Sequence, residues 1–110
     1  MQPYITVWFR GLANDLSIEA AVHRWVARLE ATTLDIWKAE VAIERVGKQR
    51  VVVSVMLDLA DGRQVATAAH DDVYVAVAEA CRTVRKQWLA SSGARRLPSI
   101  SPGMVARSAA

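Results

Sequence analysis

Between Ile36 and Leu59 the chain alternates apolar and polar residues in two runs, and this constrains the fold more than any other feature. In the first run Trp37, Ala39, Val41 and Ile43 fall on one side and Lys38, Glu40, Ala42 and Glu44 on the other. In the second, Val51, Val53, Val55, Leu57 and Leu59 alternate with Val52, Ser54, Met56 and Asp58. A period of two is the repeat of a strand that buries one face. Gly47-Lys48-Gln49 supplies the turn between the runs. Asp61-Gly62 then reads as a tight hairpin turn with positive φ at both central positions, and residues 63–69 return as a further strand with Val65 and Thr67 on the core side.

The flanks are of two kinds. Residues 3–9, Pro-Tyr-Ile-Thr-Val-Trp-Phe, are β-branched and aromatic and predict an opening strand, with Ile5, Val7 and Phe9 on one face and Tyr4, Thr6 and Trp8 on the other. Ile18, Val22, Trp25 and Leu29 recur at helical spacing after a Ser17 N-cap, with Glu19 suited to the first turn. Tyr74, Val77, Cys81, Val84 and Trp88 do the same after His70-Asp71-Asp72, which predicts a helix ending near Ala90 before Ser91-Ser92-Gly93. The predicted architecture is an α+β domain of order β-α-β-β-β-α over residues 1–90, with both helices on one face of a four-stranded sheet. The other face is open, carrying Trp8, Val52, Met56 and Ala42 among Lys38, Glu40, Glu44 and Gln64. Residues 91–110 read as a flexible tail.

At 110 residues there is room for one core. The 53% hydrophobic share is enough to fold it. One cysteine allows no internal disulfide, and no leader or membrane-length apolar run is visible, so the expected location is cytoplasmic. Formal net charge is +3, and eight of the eleven acids lie within the first 61 residues. The C-terminal half is therefore the better candidate for facing phosphates.

Catalytic constellations are missing. Cys81 sits mid-stripe with no histidine at helical spacing and reads as a buried structural thiol. His23 and His70 fall in different elements with no metal-ligand spacing around them. Asp71 and Asp72 are helix caps rather than an acid/base pair, and no glycine-rich phosphate loop is present. No enzyme activity, metal, cofactor, membrane or small-molecule substrate is expected. Trp25 and Trp88 are assigned to the core, leaving Trp8 as the candidate exposed aromatic. The remaining signal is basic: Arg24 and Arg28 are one turn apart on the first helix, and Arg82, Arg85 and Lys86 cluster on the second with Arg95 and Arg96 beyond. Side-by-side helices would merge these into one strip, and composition leaves RNA as one partner among several.

Several strings are similar to the hibernation-promoting factor family, the ribosome-associated translation inhibitors also called ribosomal subunit interface proteins. They are Arg10-Gly11-Leu12 after the first strand, Val26-Ala27-Arg28-Leu29-Glu30, and His70-Asp71-Asp72-Val73-Tyr74-Val75-Ala76-Val77 followed by Arg85-Lys86-Gln87. The similarity spans about residues 2 to 90. It implies a domain that sits in the mRNA and tRNA channel of the small ribosomal subunit and holds resting ribosomes inactive, with ribosomal RNA contacted by basic side chains on both helices. The matching positions are Arg24, Arg28, Arg82, Arg85 and Lys86. Thr83, Trp88, Leu89 and Ala90 dilute the lysine series of that family, so the expectation is either weaker affinity or a shift of contact to Arg95 and Arg96. No C-terminal dimerisation domain follows, as in a short form. The competing reading is a protein-protein interaction module that uses the open sheet face around Trp8 and Met56.

Overall fold

The computed structural model describes residues 3–32, 35–60 and 62–96, with side chains through Ser91. The elements are β1 (Tyr4–Arg10), α1 (Leu16–Ala31), β2 (Ile36–Val46), β3 (Arg50–Leu59), β4 (Gly62–His70) and α2 (Val73–Arg96). This is the predicted α+β order, β-α-β-β-β-α. The sheet order is β1-β2-β3-β4, with β1 parallel to β2 and the other neighbours antiparallel. A parallel pair cannot be closed by a tight turn, so α1 serves as the crossover between β1 and β2. Both helices lie on one face of the sheet, α1 beside α2, with α2 over β3 and β4.

The β3 alternation is realised in full. Val51, Val53, Val55, Leu57 and Leu59 are all buried against Ala39, Val41 and Ile43 of β2 and the stripes of the two helices. From α1 come Ile18, Val22, Val26 and Leu29; from α2 come Ala76, Val77, Ala80, Cys81, Val84 and Trp88. No polar or charged residue is buried among the described residues.

Several local expectations are corrected. The N-cap of α1 is Asp15, not Ser17: its extended backbone lets the carboxylate accept from the Ser17 and Ile18 amides at 2.8 and 3.3 Å. A carboxylate reaches two free amides at once and adds charge complementary to the helix dipole. Asp15→Ala is expected to lower stability by about 1 kcal/mol in urea denaturation, whereas Ser17→Ala, one position inside the helix, should cost much less.

Two strand faces are reversed from expectation. In β2 a register irregularity between Ile36 and Lys38 turns Ile36 into the core and leaves Trp37 62% exposed. One extra residue on a strand exchanges faces for everything before it. In β4, Ala66 is buried and Ala68 packs against the core, while Val65 and Thr67 lie on the open face, opposite Met56 and Ser54. The cause is the cross-strand register: Val55 pairs with Ala66 and Val53 with Ala68, so the buried residues of β3 stand opposite the even-numbered residues of β4 and carry those to the core. Gln64, opposite the buried Leu57, is correspondingly not on the open face. Asp61 lies outside the described residues.

Helix α2 also runs further than its sequence signals, passing Ser91-Ser92-Gly93 to end at Arg96. Intrinsic propensities of a few tenths to about 1 kcal/mol per residue are too small to stop a helix by themselves. The expected tail from residue 97 on lies outside the described residues. At the other end of β1, Gly11 adopts φ +78 with its Cα against Arg45; a Cβ there would meet the Arg45 carbonyl oxygen at 3.3 Å. Arg10-Gly11 thus closes β1 by a left-handed turn that a side chain would strain.

Candidate nucleic-acid interface

The five basic residues singled out on the two helices are all exposed. Their arrangement follows from the core stripes. At roughly 100° per residue, Arg24 and Arg28 fall on the flank of the α1 stripe next to Ala21, and Arg82 and Arg85 fall on the flank of the α2 stripe next to Tyr74. The junction is Trp25. The guanidinium of Arg28 lies 4.9 Å from its ring centroid, and that of Arg82, arriving from α2, lies 5.3 Å away. Both distances are within the range in which a cation is held by an aromatic quadrupole. One indole therefore ties the cations of two helices into a continuous strip, which Arg85 and Lys86 extend along α2.

Trp25 is half-buried rather than a core residue, and Tyr74 is 45% exposed. Together with Ala21, Arg24 and Arg28 they line a shallow cleft of about 220 Å³ between the helices. Sequence reasoning placed both aromatics in the core. The available signal was the alternative stripe Ile18, Val22, Val26 and Leu29, which meets the same helical period without Trp25. Arg95 and Arg96 are on the last turn of α2 and so continue the same helix, but their side chains lie outside the described residues.

None of Arg24, Arg28, Arg82, Arg85 and Lys86 has an ion pair among the described residues. The open sheet face is different in kind. There Lys38 meets Glu40 at 2.9 Å and Arg63 meets Asp58 at 2.7 Å, so these charges are compensated within the protein. The hydrogen bond with Glu40 and the charge of Glu40 raise the pKa of Lys38, and the corresponding bond and charge of Asp58 raise that of Arg63. Among the described residues the cations of the helical strip thus lack the internal pairing that holds Lys38 and Arg63, as do Arg10, Arg45, Lys48 and Arg50 at the β2–β3 end of the sheet. Trp8 is 59% exposed on the sheet face, as expected.

The residues considered for chemistry are occupied structurally. Asp72 accepts from the Tyr74 amide at 2.8 Å and caps α2, while the Asp72 amide donates to His70 Nδ1 at 3.0 Å. His23 is exposed on α1. Among the described residues, no three His, Cys, Asp or Glu are grouped to hold a metal ion, and no helix is long and apolar enough to cross a membrane.

Cys81 is fully buried, and burial pushes its thiol from the ordinary 9.0 up to about 12. The thiolate is the reactive species, so Cys81 should be inert to thiol reagents at pH 8 in the folded protein and should label only after unfolding. Because the folded-state pKa is raised, this group's contribution to stability is intact below pH 9. It is lost as pH rises from there toward about 12, a decline that Cys81→Ala should reduce.

No protein-family model and no curated protein matches the sequence. Solved structures do. The N-terminal domain of Protein Y from Thermus thermophilus is similar at TM-score 0.68 and 24% identity, over 79% of this chain and 94% of that one. A ribosomal subunit interface protein from Coxiella burnetii is similar at TM-score 0.73 and 16% identity, over 82% of this chain and 98% of that one. The chain has their fold. Its two helices and four strands span nearly the whole of each of these neighbours, and the resemblance seen in the local strings of the sequence agrees with that fold.

Proposed function

We propose that this protein binds the small ribosomal subunit through the basic strip on α1 and α2, and that it inhibits translation by occupying the mRNA and tRNA channel of resting ribosomes. The role is binding rather than catalysis. The observation that carries this reading is the convergence of Arg28 and Arg82 on Trp25, which brings together two helices whose five exposed cations have no ion pair among the described residues. Such a surface has the form that phosphate backbones select: cations free of internal acids, held at fixed spacing, beside aromatic rings on which an unpaired base can stack. The fold shared with a ribosomal subunit interface protein supports the same partner. Arg95 and Arg96, on the last turn of α2, are the further RNA contacts in this reading.

Co-sedimentation with purified small subunits tests the proposal. Binding is expected at low salt and should weaken steeply as salt rises, with log affinity falling by roughly 0.7 to 0.9 per phosphate contact for each decade of salt. A protein that stays at the top of the gradient at every salt concentration would refute it.

A further inference from the structure

A second surface of opposite character lies where β1 and β2 begin. Tyr4, 82% exposed, and Trp37, 62% exposed, line a cleft of about 740 Å³. The exposure of Trp37 is imposed by the backbone, since the irregularity between Ile36 and Lys38 has placed Ile36 in the core in its stead. Three carboxylates, Glu30, Asp35 and Asp58, face the same cleft against one ammonium, that of Lys38. Lys38 is engaged by Glu40 and Asp58 by Arg63. Glu30 and Asp35 have no ion pair among the described residues.

We propose that this cleft docks a lysine- or arginine-bearing segment of a partner protein, whose cationic side chain lies against Tyr4 and Trp37 and pairs with Glu30 and Asp35. Charge complementarity selects this occupant. Aromatic faces attract a cation through their quadrupole, and the two free carboxylates add to that attraction. The same carboxylates repel phosphate, so the surface is unsuited to nucleic acid, and a purely apolar partner would strip their water without replacing it. Strand β1 is at the edge of the sheet, so an extended segment also finds unpaired backbone groups beside the cleft. The inference does not rest on the ribosomal reading, because it uses none of the strip's cations and a different class of partner.

The test is a fluorescence-anisotropy titration of labelled N-acetyl octalysine at low salt. The parent is expected to bind, and Tyr4→Ala/Trp37→Ala should weaken binding by about tenfold or more. Glu30→Gln/Asp35→Asn should do likewise, while Arg82→Ala/Arg85→Ala on the helical strip should leave it unchanged. The altered side chains are exposed or half-buried, so unchanged melting verifies that each variant is folded. Failure of the parent to bind octalysine, or equal binding by the cleft variants, overturns the proposal. A second copy of the chain is the competing source of cations. If sedimentation velocity shows the parent self-associating, and both the cleft and the strip variants abolish that, the occupant is another protomer and the proposal is wrong in its partner.

Discussion

Replacing Arg82, Arg85 and Lys86 together with Glu is expected to abolish co-sedimentation with small subunits, a loss of at least about a hundredfold in affinity, while the melting transition moves by only a few degrees. The two effects separate because the residues lie on opposite flanks of α2 from the groups that hold the fold. All three are exposed and have no ion pair among the described residues, and exposed substitutions of this kind change stability by under about 0.5 kcal/mol each. The carboxylate introduced by Arg82→Glu, one turn from Glu79, adds a small repulsion within the helix. Toward RNA the change is far larger: three phosphate contacts vanish and three like charges face the backbone, so both affinity and its salt dependence collapse. Trp25→Leu should give an intermediate loss, since it keeps every charge but releases Arg28 and Arg82 from the ring that positions them. Trp8→Ala/Met56→Ala on the sheet face is the matched control and should bind as the parent does. The reverse result, with the Glu variant bound and the sheet-face variant free, would transfer function to the open sheet face.

Leu57→Ala is expected to be the most damaging single substitution for stability, at about 2 to 5 kcal/mol in urea denaturation with little change in the slope of the transition. Leu57 is fully buried in β3, with Ala39 beside it on β2 and the helices above. Ala39 is already small, so the site has little material with which to fill the space left behind. Losing that much from a domain whose total stability is of order 5 to 15 kcal/mol removes a large part of its margin. Met56→Ala, one residue away on the open face, should cost well under half as much. Equal losses at the two positions would mean that the open face is covered.

Comparing particular elements shows which signals a local reading captures. The element order was legible because each element carries its own period: β3 alternates without exception, and both helices keep a three-four spacing. The basic strip was legible for the same reason, since residues one turn apart on a helix must share a face. The errors fall where a single residue decides a phase. Trp37 was assigned inward because strict alternation runs through it, and only the irregularity at Ile36 reverses it. Val65 and Thr67 were assigned inward, whereas the pairing of Val55 with Ala66 and of Val53 with Ala68 puts the alanines on the core side.

The sequence by itself determined the periods, and with them the fold class, the faces of β3 and the flanks on which the helix cations lie. These are local properties, set by backbone geometry within each element. Only the tertiary structure decided the phases and the junctions: which side of β4 is buried, that Trp25 stands between two helices rather than beneath them, and that Arg28 and Arg82 meet over its ring. The last two depend on contacts between residues more than fifty positions apart. Their physical origin is the docking of α1 against α2, the irregularity in β2 and the pairing of β4 with β3, for which hydrophobic periodicity carries no signal.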